Sequence, residues 1–388
     1  MTNKKSKIRL GKFKRKVQGK KRKPTKKILI AAAIGLGIVF SAFTVVKFWK
    51  FQNYKVELTE KDENTLVYNY YSCNGKLLKC ASDTAILVDV QNESIWTVNY
   101  EMNNPNVEIC GDAIAIYDKN GTSVVLCNEK GKVASFNTEL PVIKADISEQ
   151  GTLAVLEDDG STARIDYFDT SGSLIATVRT TMDEEGYPMD LALSSNGILL
   201  GVSYIRYEDG KTINDVIFYN FSTAGQSNKD NIVSSYSYED VIIPQICFMG
   251  EDSCIAFGTD RLLLYRGNKN PQESESIESD GEIKSTFADE EGFGFVVSAG
   301  ENGEYEIQSY DKKGKKKATI DTDFSYTSIE RKNGLLCLYN RSAICIYSAD
   351  GILKYNGETE FLIRQVRLLE SNRYAVAATD GFDIIRLY

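Results

Sequence analysis

From Tyr54 to the C-terminus, apolar residues recur in short runs broken by glycine-centred polar triplets, and helical periodicity is hard to find. The stretch 142–180, VIKADISEQGTLAVLEDDGSTARIDYFDTSGSLIATVRT, shows the unit. Strand candidates at 142–147, 152–156, 163–168 and 174–179 are divided by Glu149-Gln150-Gly151, Asp158-Asp159-Gly160 and Ser171-Gly172. Copies begin near Thr65, Asn106, Val142, Pro188, Val241, Glu282, Ser325 and Ile363, a spacing of about forty residues that matches a β-propeller blade. Runs such as 114–117, 153–156 and 335–338 are apolar on both strand faces, which predicts burial on both faces, as for a blade held between two neighbours. Eleven Asn-Gly or Asp-Gly dipeptides, among them Asn74-Gly75, Asn120-Gly121, Asp209-Gly210, Asn302-Gly303 and Asp350-Gly351, predict hairpins with positive-φ turns.

The first seven copies each offer four strands, although the last strand of the fifth, 273–280, is acidic and weak. The eighth offers three: RQVRLLES, YAVAATD and FDIIRLY. Its missing outer strand is expected from 54–59, YKVELT, so that the two ends of the chain close the ring and leave no open toroid edge. The predicted fold is an all-β propeller of eight four-stranded antiparallel blades over 54–388, with seven blades as the alternative.

The N-terminus departs from this pattern. Residues 28–46, ILIAAAIGLGIVFSAFTVV, are uncharged, and nineteen residues of helix span about 28 Å, against a bilayer core of about 30 Å. A retained transmembrane helix is expected, because no small-residue cleavage site follows it. Residues 1–27 hold 14 of the 46 Lys and Arg and no acid, predicting a disordered basic tail. Only Lys47, Lys50 and Lys55 follow the run closely, so the positive-inside rule puts the tail in the cytoplasm and the propeller outside. Residues 47–53 read as a juxtamembrane linker, with Phe48, Trp49 and Phe51 at the outer interface. Beyond Lys27, 32 bases face all 54 acids, a balance that disfavours nucleic acid as a partner.

The turns Ser194-Ser195-Asn196-Gly197 and Ser148-Glu149-Gln150-Gly151 resemble the S-x-D-G-x-x-L turn of YVTN and TolB propellers, and Trp96 resembles the blade tryptophan of quinoprotein-like propellers. In those families both are packing features. Basic tail, single helix and propeller, with IWTVNYEMNNPNVEICGDAIAIYD early and Gly186-Tyr187-Pro188-Met189-Asp190 at mid-chain, resemble a family of membrane-anchored propellers of unknown function from anaerobic Gram-positive bacteria. The resemblance implies topology and location and transfers no catalytic residue.

The chain has no histidine, which removes the commonest member of most metal sites and catalytic triads. Eight cysteines lack zinc spacing; Cys247 with Cys254 and Cys337 with Cys345 could face each other across hairpins, but reduced core thiols are favoured. The lone outer-domain tryptophan disfavours a quinone cofactor, and acidic clusters at 157–159 and 183–185 lack the spacing of a calcium loop. No cofactor, metal or catalytic residue is therefore assigned. The leading expectation is a scaffold that binds an envelope protein, with a cell-wall saccharide sensor or adhesin and a carbohydrate-cleaving enzyme as rivals. On the propeller register, Lys144, Asp190, Gln245, Lys284 and Arg364 line the channel, and Tyr187 joins Arg206 and Tyr207 of the longest hairpin on one face as candidate binding residues.

Overall fold

The computed structural model describes residues 44, 47–61, 67–160, 163–179, 186–300, 303–370, 372–379 and 381–388. The basic tail, the apolar run apart from Thr44, and the acidic triplet at 183–185 lie outside them. The chain divides into two units, 1–49 and 50–388. In the first, Thr44, Lys47 and Phe48 are helical, and no helix among the described residues is long and apolar enough to cross a membrane.

The second unit consists of eight four-stranded antiparallel sheets. Numbered as blades in chain order, they cover 69–99, 105–137, 142–179, 187–239, 245–278, 283–322, 328–358 and 365–387. The weak acidic segment does form a strand, Gln272–Glu278, on the outside of blade 5. Blade 8 takes its outer strand from Tyr54–Lys61, which pairs with Gly381–Leu387 from Tyr54↔Leu387 to Lys61↔Gly381. The pairing slips at Glu57, and this bulge gathers Lys55, Arg373 and Arg386 around one carboxylate at 3.3, 2.8 and 3.7 Å. The propeller's contacts begin before the expected boundary: the Phe51 amide donates to Lys354 O, and those of Gln52 and Asn53 donate to Tyr388 O. Phe51 packs against the core between blades 7 and 8 rather than projecting away from it.

Why the blades stack follows from the double-sided runs. Among the described residues there are eight apolar clusters, one between each pair of neighbouring blades. In blade 3, Leu153 and Val155 pack toward blade 2 while Ala154 and Leu156 pack toward blade 4. Full burial of a leucine or valine contributes about 1.5–3 kcal/mol, so each central strand stabilises two interfaces at once. The cysteines join these cores. Register puts Cys254 opposite Phe248 and Cys345 opposite Leu338, so Cys247 and Cys254 point to opposite faces of their sheet, as do Cys337 and Cys345.

Among the described residues turn chemistry follows the dipeptides with two exceptions, the first being Asp280-Gly281, which lies without positive φ in the link between blades 5 and 6. Asp209 and Gly210 have φ of 50° and 82°, joining two ten-residue strands, Leu199–Glu208 and Lys211–Asn220, through a tight turn. Asn356-Gly357, by contrast, lies inside the strand Leu353–Glu358, where a Cβ on Gly357 would meet the Tyr355 ring. The serine turns are packing features, as their resemblance implies: Ser194 Oγ accepts from the Leu199 amide at 2.9 Å, and Ser195 N donates to Gly250 O of the next blade at 3.1 Å.

In each blade the first strand lies innermost. The loops entering these strands, and the turns between second and third strands, form one face, here called upper. The remaining turns form the lower face, where the chain enters at Phe51 and ends at Tyr388.

Candidate functional site

The inner strands bring polar groups together around the propeller axis. Lys144 Nζ of blade 3 is 2.5 Å from Asp190 Oδ1 of blade 4, and Asp190 Oδ2 accepts the Ile246 amide of blade 5 at 2.8 Å. Asp146 repeats the arrangement one blade earlier, accepting the Leu193 amide at 2.7 Å. Gln245 Oε1 accepts from Thr286 Oγ1 of blade 6 at 2.9 Å, and Gln365 Oε1 accepts the Tyr70 amide of blade 1 at 3.0 Å. These side chains fasten each blade to the next. Bulges between Val142 and Lys144 and between Pro188 and Asp190 occur just where Lys144 and Asp190 meet.

Of the other expected channel residues, Lys284 pairs with Glu282 at an exposed edge, and Arg364 donates to the Tyr68 carbonyl with its guanidinium 5.7 Å from the Tyr70 ring. The structure adds residues that sequence reasoning passed over. Arg367 bonds Glu330 at 3.1 Å, and Lys332 reaches past blade 8 to Ser72 O at 3.0 Å. Tyr71, Val107, Ile109, Ser328, Glu330 and Arg367 help enclose a cavity of about 340 Å³.

Glu108 completes an acidic group with Asp146 and Asp190. Burial, then the charge of Asp146, pushes the Glu108 carboxyl up to about 8. Burial raises Asp146 to about 6 against the bonds from the Leu193 and Ile147 amides and the charge of Lys144. Lys144 is held high in turn: burial would lower it, but Asp190, Glu108 and Asp146 outweigh that. Both carboxyls titrate higher folded than free, so their protonated forms favour the fold. Their contribution is complete below about pH 4 and is lost as pH rises through about 6 and about 8. A melting series from pH 5 to pH 8 should show stability falling by about 2 kcal/mol, channel water screening part of the full shift. Glu108→Gln should flatten the fall above pH 6; an unchanged slope would remove Glu108 as its source.

On the upper face, Tyr187 donates to Asp158 Oδ2 of blade 3 at 2.7 Å. Gly186, at φ +86°, precedes it where a Cβ would meet Ile205 O at 2.5 Å, so only glycine lets the loop lie against the long hairpin. Arg206 Nε bonds Asp215 at 2.7 Å and its other arm reaches Glu208. Tyr207 projects from the same hairpin, 76% exposed. Tyr187 and Arg206 are therefore braced, and Tyr207 is the projecting group of the three. Other bases here also pair with acids, Lys211 with Glu239 and Arg261 with Asp260. Buried Glu157 holds the Leu140 amide and Arg164, and burial raises its carboxyl to about 7. Among the described residues no group of His, Cys, Asp or Glu is placed to hold a metal ion.

Comparison with solved structures gives the fold. BamB from Moraxella catarrhalis aligns with a TM-score of 0.55 at 11% identity, covering 87% of this chain and 100% of that one. Sqt1 of Chaetomium thermophilum, bound to the N-terminus of ribosomal protein L10, aligns at 0.56 and 9% identity, covering 87% and 100%. Sqt1 of Saccharomyces cerevisiae aligns at 0.54 and 11%, covering 87% and 98%. No curated protein matches the chain. A family model described as a family of unknown function, DUF5711, matches residues 47–387.

Proposed function

Because the chain belongs to the DUF5711 family of unknown function, and the matched segment spans the whole propeller, we propose that the protein is a single-pass, membrane-anchored scaffold whose propeller lies outside the cytoplasm and captures an envelope protein on its upper face. The anchor is the apolar run 28–46, and the orientation follows from the basic tail before it. One observation carries the binding role. Tyr207 stands 76% exposed on a hairpin whose ten-residue strands and two-residue turn hold it rigidly, with Tyr187 and Arg206 braced beside it. A rigid aromatic group fixed at an exposed tip loses little entropy when a partner covers it. Exposed Asp209, Asp240 and Asp280 on this face favour a partner segment that brings its own basic groups. The C. thermophilum Sqt1 holds a polypeptide N-terminus on the same fold, an analogy that favours a polypeptide here.

Capture from envelope extract tests the reading. Tyr207→Ala should leave the melting temperature unchanged and weaken capture at least tenfold, about 1.4 kcal/mol. Tyr187→Ala and Arg206→Ala should weaken capture too, but with lower stability, since they strip partners from Asp158 and Asp215. Full capture by a folded Tyr207→Ala protein would move the site to another face. Retention on a glycan array without protein capture would favour the saccharide sensor instead.

A further inference from the structure

The lower face carries a basic rim of its own. In blade 6 the turn after the strand Tyr305–Asp311 reads Lys312-Lys313-Gly314-Lys315, followed by Lys316 and Lys317. Asp311 Oδ1 accepts the amides of Lys313 and Lys315, both at 3.0 Å, and the Lys312 amide donates to Glu291 O at 3.0 Å, so the turn is held firmly. Lys316 lies over the Tyr310 ring and Lys317 pairs with Asp350. Lys312, Lys313 and Lys315 are exposed and have no carboxylate partner among the described residues. The equivalent turn of blade 5 adds exposed Arg266 and Lys269. The acids Glu251, Asp252, Glu290 and Glu291 belong to the inner turns, nearer the axis, whereas exposed Glu275, on the outer strand of blade 5, lies beside Gly314 of the lysine turn.

We infer that this lower rim of blades 5 and 6 rests on anionic phospholipid headgroups, a step that relies on the membrane-anchored reading above. Three features converge on a lipid surface. The chain enters the propeller on this same face, where Phe51 is bonded to Lys354 of blade 7, next to blade 6. Between Val46, the end of the apolar run, and Phe51, the backbone extends to about 17 Å at most, so an anchored chain keeps Phe51 within that distance of the end of the run. At that range lysines are effective, since their attraction to an anionic surface falls off over about 8 Å at physiological salt and strengthens partition about fivefold for each residue. Among the described residues the upper face has no comparable cluster: Arg206, Lys211 and Arg261 pair with acids there, and exposed Lys119 and Arg341 stand singly on different blades.

Flotation of residues 50–388, the unit that closes its own ring and contains all eight cores, tests the inference. The unit should float with phosphatidylcholine vesicles containing about a third phosphatidylglycerol, stay behind with pure phosphatidylcholine, and be released by roughly half-molar salt. Combined Lys312→Gln, Lys313→Gln and Lys315→Gln should lower binding at least tenfold with the melting temperature preserved, whereas Tyr207→Ala should float normally. Failure of the unaltered unit to float, or undiminished flotation of the triple variant, overturns the inference. So does retention on a soluble polyanion without flotation, which would assign the rim to an acidic polymer. The anchor is tested separately by alkaline extraction of the full chain from membranes: release would refute the anchor while leaving the flotation result to stand on its own.

Discussion

A chain beginning at Glu60 should melt far below one beginning at Asn53, with a loss of several kcal/mol. The segment removed includes five of the seven paired positions along Gly381–Leu387, from Tyr54↔Leu387 to Thr59↔Asp383. It also removes Tyr54, which packs against the core between blades 7 and 8, Leu58, which packs between blades 8 and 1, and Glu57, which gathers Lys55, Arg373 and Arg386. Each backbone hydrogen bond contributes about 0.5–1.5 kcal/mol net, and partial burial of the two side chains adds to that. Exposing the edge of Gly381–Leu387 should also promote association between chains. Equal melting temperatures for the two chains, measured by calorimetry, would mean that the ring does not depend on this strand.

Asp190→Ala should destabilise the propeller by about 3 kcal/mol. Asp190 is 3% exposed and serves blades on both sides, through Lys144 and through the Ile246 amide. Its removal leaves a half-buried ammonium without its nearest carboxylate and a buried amide without an acceptor, and breaking such a pair from one side costs about 3–5 kcal/mol when burial is complete. Lys144 is 34% exposed on its side chain, which puts the expectation at the low end. Denaturant titration checks it, and Asp190→Asn, which keeps an acceptor for Ile246, should recover part of the loss. A variant as stable as the parent would make Asp190 a channel-lining group with no structural part.

These two expectations mark where the sequence was legible and where it was not. The double-sided apolar runs and the glycine turns predicted all eight blades and the closing strand, because each blade repeats the same local chemistry. Two dipeptides misled: Asn356-Gly357, where a turn preference was overridden by pairing with Ala343–Ser348, and Asp280-Gly281, which links blades 5 and 6 without positive φ. The candidate channel residues were legible as polar groups on inner strands, but their bonds to neighbouring blades were not. Lys144, Asp190 and Gln245 look like recognition groups in a strand pattern, yet they bind neighbouring blades, a relation between segments some forty residues apart that depends on bulges no local pattern displays. Glu108 and Arg367 went unnoticed although each is a charge flanked by aliphatic residues, Val107 and Ile109 in one case and Val366 and Leu368 in the other. Arg206 was legible as an arginine on a long hairpin; that Asp215 and Glu208 already hold it depends on the pairing register.

The closing strand also determines how the molecule bears load. A pull on the chain at Asn53 is transmitted to Tyr54–Lys61, which lies antiparallel along Gly381–Leu387. Traction between that point and the upper face runs along the strand, so the paired positions resist together in shear instead of opening one at a time from an end. Rupture then requires their concerted loss, a slow step governed by the unfolding barrier rather than by equilibrium stability. A propeller held in this way behaves as a mechanical clasp, with its own first strand as the pin.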